Sequence, residues 1–173
     1  MPEIVSPAWA LLLTAGLAYL LGSVPFGIVA ARLFGLGDLR RIGSGNIGAT
    51  NVLRTGNKLA ALLTLVGDAG KGGAAVLAAH ALLGDDAAQV AGLAAFLGHC
   101  FPVTLGFQGG KGVATFLGTL LALSLPLGLA ACLTWIAVAA LGRMSLLAAL
   151  VIWRHGANIR RIAAGTEPRI GRK

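Results

Sequence analysis

Residues Val113 to Leu141 read VATFLGTLLALSLPLGLAACLTWIAVAAL, 29 residues without a charge and with one proline, Pro126. The run admits two readings: a single kinked helix, or a tight hairpin of two short crossings with Pro126 at its outer tip. The charges on either side decide between them. Lys111 precedes the run, Arg143 follows it, and Arg154, Arg160, Arg161, Arg169, Arg172 and Lys173 crowd the C-terminus. Basic segments stay on the cytoplasmic side of a membrane. One crossing would send the basic tail outside, whereas a hairpin returns it to the side of Lys111. The sequence therefore predicts a hairpin.

The remainder is nearly as apolar. Of 173 residues, 57% are hydrophobic and 12% charged, with mean hydropathy +0.84. Soluble domains hold about 45–50% apolar and about 25% charged residues. The surplus has no place in water, so composition assigns an all-α polytopic membrane protein. The net charge of +8 does not point to nucleic acid. Its cations gather between apolar runs, with Arg32, Arg40, Arg41, Arg54 and Lys58 around one polar segment. Glu3, Asp85 and Asp86 mark the opposite side.

The expected spans are Pro7–Phe34, with Trp9 as its outer anchor, then Leu59–Leu83, broken at Gly67–Gly72, then Ala87–Leu97 and the hairpin. Leu146–Trp153 is eight residues long, about 12 Å as a helix against a core of about 30 Å, and reads as an interfacial stub. This gives five crossings in a single domain, 1–173, with the N-terminus outside and the C-terminus inside. No basic residue precedes the first span, which argues against a cleavable signal peptide. Cys100 and Cys132 lack metal-ligand or disulfide spacing and read as packing residues; no metal or cofactor is implied.

Three polar clusters then share the cytoplasmic face. The first, GSGNIGATNVLRTGNK (Gly43–Lys58), holds Ser44, Gly45, Asn46, Gly48, Asn51 and Arg54. The second, GHCFPVTLGFQGGKGVAT (Gly98–Thr115), holds His99, Gly109, Gly110, Lys111, Gly112 and Thr115. The third holds His155 and Asn158, with Glu167 beyond. Glycines expose backbone N–H groups, and cations among them suit phosphate. Asn51 and His99 read equally as loop-tying residues. Asp68 and Lys71, three apart on one helix face, read as a structural ion pair or as a direct participant.

Three short patterns fail on context. Gly43–Gly48 is formally G-x-G-x-x-G but follows a membrane helix rather than a strand. Gly109–Gly112 lacks the Ser or Thr of a P-loop. His80 and Asp85 form an H-x4-D pattern at the end of a span remote from the basic clusters.

Together the three clusters, with AYLLGSVPFGIVAARLFG and LGDAGKG, resemble the bacterial acyl-phosphate:glycerol-3-phosphate acyltransferase family over nearly the whole chain. The resemblance implies an inner-membrane enzyme that makes lysophosphatidic acid from acyl phosphate and glycerol 3-phosphate. It also implies an acyl-phosphate-producing enzyme as a candidate partner. By motif match Ser44, Asn46 and Arg54 would be essential, the Gly-rich region with Lys111 would take acyl phosphate, His155 and Asn158 would act in the third region, and Glu167 would support it. The family fold has seven crossings; here a hairpin is missing between Ser145 and the Arg154-His155 motif.

An acyl phosphate is already activated, so the site needs to hold two phosphates, ease the alcohol's proton loss and stabilise an oxyanion. Arg54, Lys111 and amide nests at Ser44–Gly48 and Gly109–Gly112 suit the first task. His155 could be the base or could bind glycerol phosphate, leaving the departing phosphate to take the proton. The rival reading is a small anion transporter or channel, which would place its polar site near the midplane.

Overall fold

The computed structural model describes residues 4–142, and all regular structure among them is helical. The helices are α1 (Ala8–Gly22), α2 (Phe26–Leu33), α3 (Ala49–Leu53), α4 (Lys58–Leu83), α5 (Asp85–Cys100), α6 (Val113–Leu123) and α7 (Leu125–Gly142). Helix α4 is central, packing on α5 and α6, while α1 lies along α5 and α7 along α6. Leu146–Trp153, Arg143 and the third polar cluster lie outside the described residues.

Size is distributed in reverse of a water-soluble protein. Leu12, Leu17, Leu62, Leu82, Leu93 and Leu133 are exposed, while one buried cluster consists of alanines from α1, α4 and α5. Side chains gain nothing by leaving lipid for a protein interior, so membrane helices associate through small residues that let backbones approach. Gly22 lies against Ala95, Gly98 against Tyr19 and Gly118 against Ala69, each with no room for a Cβ. The exposed leucines are the lipid-facing surface. Three segments, Ala8–Leu33, Lys58–Leu83 and Asp85–Leu105, are long and apolar enough to cross a membrane, and α6 and α7 are shorter apolar helices.

The first span is not one helix. It divides at Ser23-Val24-Pro25, because proline has no N–H to continue the ladder and disfavours helix in the residue before it. The carbonyls freed by the break are met by distant side chains. Lys71 Nζ donates to Val24 O at 2.7 Å, and Thr104 Oγ1 donates to Ser23 O at 3.1 Å.

The second span, by contrast, runs unbroken through Gly67–Gly72. These glycines admit neighbours rather than end the helix: the Phe26 ring covers Gly67, and the Thr115 backbone and methyl cover Gly72. Continuing a helix through glycine costs about 1 kcal/mol per residue, less than stranding unpaired backbone groups in lipid.

The fold-deciding run is a hairpin. Helix α6 ends at Leu123, Ser124 is extended, and α7 turns back so that Gly128 lies against the backbone of Leu121. Pro126 belongs to the first turn of α7 rather than to the tip, a place where its missing N–H costs nothing. Cys100 and Cys132 form no disulfide among the described residues, and Cys100 is fully buried.

Candidate active site

The first polar segment folds around Asn51, whose side chain is buried and uses both ends. Its Oδ1 accepts from Ser44 N at 3.0 Å and Ser44 Oγ at 3.3 Å; its Nδ2 donates to Leu39 O at 2.9 Å and Asn46 O at 2.7 Å. One amide thus ties three turns of loop to the short α3. Gly43 must be glycine, having φ +52° and no space for a Cβ beside Asn51 Oδ1 and Arg54 Cδ. The second segment docks on the end of α5: the amides of Gly109 and Gly110 donate to Cys100 O and His99 O at 3.2 and 3.1 Å.

These bonds alter the reading of both amide nests. Ser44 N is taken by Asn51, Gly45 N by Ile42 O at 2.9 Å and Gly48 N by Asn46 Oδ1 at 3.0 Å. With Gly109 and Gly110 also engaged, most of the nest amides serve the loops' own geometry. The reason is physical: a Gly-rich loop at a protein–lipid boundary must satisfy its own backbone, or leave it buried and unpaired. Side chains are left as the main donors toward a ligand.

A cleft of about 110 Å³ lies between the two segments. Ser44, Asn46, Gly48 and Arg54 come to it from the first segment, Lys111 and Gly112 from the second, and Asp68 and His99 from α4 and α5. Leu65, Leu117 and Trp135 form its apolar wall. Gly45, Gly109, Gly110 and Thr115 are not among its lining. Gly110 is covered by the His99 ring, and Thr115 is buried against Gly72. His155, Asn158 and Glu167 lie outside the described residues.

Two of the lining groups are tightly paired. Asp68 Oδ1 accepts from Lys71 Nζ at 2.9 Å and lies 3.4 Å from His99 Nδ1, all three side chains being buried. Lys71 adds the Val24 carbonyl and sits 5.8 Å from the Phe26 ring centroid. Arg54 differs. Its Nη1 reaches Asn51 Oδ1 only at 3.5 Å, and its buried Nη2 has no hydrogen-bond partner among the described residues. A buried guanidinium nitrogen with spare donors is built for an anion with bidentate geometry, such as phosphate.

Sequence reasoning overlooked Trp135, a lone aromatic in an apolar run with no spacing to mark it. Among the described residues no group of His, Cys, Asp and Glu is placed to hold a metal. His80 Nδ1 and Asp85 Oδ1 pair at 3.0 Å at the far end of α4, exposed and away from the cleft.

A sequence model of a family described as glycerol-3-phosphate acyltransferase matches residues 12–152. Among curated proteins, a glycerol-3-phosphate acyltransferase of Cereibacter sphaeroides is 63% identical, with all of both chains covered. One of Jannaschia sp. is 64% identical, covering 99% of this chain and 98% of that one. The Cereibacter match runs over 201 aligned positions against the 173 residues here, a difference of 28. Two crystal structures of PlsY (YgiH), an integral membrane glycerol 3-phosphate acyltransferase, share the fold. The glycerol 3-phosphate form has TM-score 0.84 and 38% identity over 93% of this chain and 96% of that one. The lysophosphatidic acid form has TM-score 0.78 and 35% identity over 93% and 95%.

Proposed function

Since the chain belongs to the glycerol-3-phosphate acyltransferase family, we propose that its donor is acyl phosphate and its acceptor glycerol 3-phosphate. It is a multi-pass membrane acyltransferase. The observation that carries the donor assignment is the cleft itself. Two cations from loops far apart in sequence, Arg54 and Lys111, line one small site, beside an apolar wall of Leu65, Leu117 and Trp135. Arg54 keeps there a buried donor with no partner among the described residues. A donor with an acyl tail and a phosphate head fits both halves of that lining.

The acceptor's hydroxyl oxygen attacks the acyl carbonyl carbon, the carbon–oxygen bond to phosphate breaks, and lysophosphatidate leaves with inorganic phosphate. The hydroxyl proton ends on the phosphate, directly or through His155. Arg54 and Lys111 hold the phosphates, with charge-assisted bonds worth about 1.5–3 kcal/mol each. Ser44 and Asn46 orient the acceptor, Gly48 and Gly112 let the ligand approach the backbone, and Asn158 acts from the third cluster. Gly45, Gly109 and Gly110 act by shaping the two loops, Thr115 by packing α6 against Gly72 of α4, and Asn51, Asp68, Lys71, His99 and Glu167 by holding the loops and helices in place. No cofactor or metal enters this scheme.

The single domain sits in the bacterial inner membrane with its basic clusters cytoplasmic, meeting an acyl-phosphate-producing enzyme there. Five crossings, where the family fold has seven, rest on the charge placement and on the shortness of the apolar run Leu146–Trp153. The anion-transporter reading has no such support, since the polar lining gathers at one site beside two loops rather than along a path.

The test is an assay of purified protein with glycerol 3-phosphate and, in parallel, acyl phosphate, acyl-CoA and acyl carrier protein thioester. Transfer from acyl phosphate alone is expected, slow in this shortened chain and faster when a generic apolar hairpin is inserted after Ser145. Transfer only from a thioester would overturn the donor assignment.

A further inference from the structure

Helix α7 presents mostly hydrocarbon outward: Leu125, Leu127, Leu129, Leu133, Ile136 and Val138 are all exposed. Trp135 is its exception. It lines the cleft together with Lys111 and Leu117, because the turn at Ser124 brings α7 back alongside the start of α6. Its Nε1 is buried and has no hydrogen-bond partner among the described residues. An indole N–H only donates, and when buried it ordinarily finds an acceptor.

A membrane-interface anchor does not explain this. Such tryptophans place the N–H among lipid headgroups, as the exposed Trp9 can at the other end of the chain. The nitrogen of Trp135 is shielded instead. A ligand that meets it in the cleft must carry an acceptor and must sit where an apolar wall meets a cation. In an acyl phosphate the carbonyl oxygen has that place, between hydrocarbon tail and phosphate head. Glycerol 3-phosphate has no apolar portion to lay on this wall.

We propose that Trp135 is a substrate-contacting residue whose Nε1–H donates a hydrogen bond to the carbonyl oxygen of the acyl donor. The contact rests on the acyl-transfer reading above. It sets the depth at which the donor sits, and it strengthens as the carbonyl oxygen gains negative charge during attack. The Trp135 ring meanwhile packs on the first carbons of the chain.

Trp135→Phe keeps the ring and removes the donor. With wild-type turnover as reference, kcat/KM for acyl phosphate should fall roughly 5- to 10-fold, as for loss of one hydrogen bond. KM for glycerol 3-phosphate and the thermal midpoint in detergent should not move. A second arm does not need turnover. With Trp9→Phe and Trp153→Phe, Trp135 is the sole tryptophan, and its emission should shift saturably on titration with a non-hydrolysable acyl phosphonate. Unchanged kcat/KM for acyl phosphate, or a lowered thermal midpoint with unchanged kinetics, would overturn the contact while leaving the reaction standing. A saturable shift in a protein that transfers nothing from acyl phosphate would sustain the contact and remove the reaction; no shift removes the contact.

Discussion

Asp68 and Arg54 line the same cleft, yet their surroundings are opposite. Around Asp68 the protein supplies the partners: Lys71 at 2.9 Å and His99 at 3.4 Å, with Lys71 also held by the Val24 carbonyl. Arg54 has one long bond to Asn51 and a buried nitrogen without a partner among the described residues. A charge in a lipid-embedded bundle is costly in both cases. Where the cost is met internally, the charge holds helices together; where a donor is left over, it waits for a ligand. The buried ion pair also fastens the α1–α2 break, so the saturated cluster stabilises the scaffold on which the unsaturated one is held.

This contrast is open to attack first at Asp68. Asp68→Asn leaves the buried Lys71 without its counter-charge, and breaking one side of a buried pair costs about 3–5 kcal/mol. Purified yield and thermal midpoint in detergent should drop sharply, and Asp68→Asn combined with Lys71→Met should recover much of the loss. A stable but inactive Asp68→Asn single variant would move Asp68 into the chemistry and dissolve the distinction.

Arg54→Met tests the other side, and Lys111→Met tests the second cation that lines the same cleft. Each removes a cation proposed to hold phosphate, and each should lower turnover roughly 100-fold, the equivalent of one strong charge-assisted bond. The thermal midpoint of Arg54→Met should hold or rise, since a buried donor with no partner among the described residues has been removed. Near-normal turnover in either variant would reduce that residue to an orientation signal for membrane insertion.

Much of this arrangement could be read before the structure, and the failures have a common cause. The hairpin was legible because charge placement and the length of Val113–Leu141 are one-dimensional facts. The function of glycine was not. Gly67 and Gly72 read as helix breakers, yet they admit Phe26 and Thr115 to an unbroken helix. Ser44–Gly48 and Gly109–Gly112 read as open amide nests, yet most of their amides serve the loops. A glycine announces that something comes close, not what. Conversely, Pro25 sat inside a span of unbroken hydropathy, and only Lys71 and Thr104, far along the chain, reveal how the break is satisfied. The cations were legible as a set; their division into paired and unpaired was not.

A third polar group extends the contrast away from the cleft. Asp86 accepts from the amides of Val5, Ser6 and Ala87 and from Ser6 Oγ, all between 2.7 and 3.0 Å. It clamps the segment before α1 to the start of α5, where α1 and α5 pack together. It is saturated like Asp68, so Asp86→Ala should lower the thermal midpoint, by less than Asp68→Asn, and leave turnover per folded molecule unchanged. Lost turnover at an unchanged midpoint would show that saturation by the protein does not separate structural from functional charges here.

The smallest effect is expected at His80 and Asp85, and it matters because their spacing imitates an acyltransfer motif. A catalytic histidine paired with a carboxylate needs a substrate hydroxyl within hydrogen-bond reach and shelter from bulk solvent. His80 and Asp85 have the pair, at 3.0 Å, and neither condition: their side chains are 59% and 75% exposed, and neither lines the cleft. Exposed pairs of this kind stabilise little, because solvent screens them and two side chains must be ordered to make them. His80→Ala and Asp85→Asn should therefore each change stability by no more than about 0.5 kcal/mol. Acyl transfer should stay within twofold of the unaltered chain and show no change in its pH profile (about 0.4 kcal/mol in barrier). The same substitutions separate two sites of chemistry from one. If His80→Ala removed transfer while Arg54→Met spared it, the reaction would run at the other end of α4, and the cleft would be a binding site for something else.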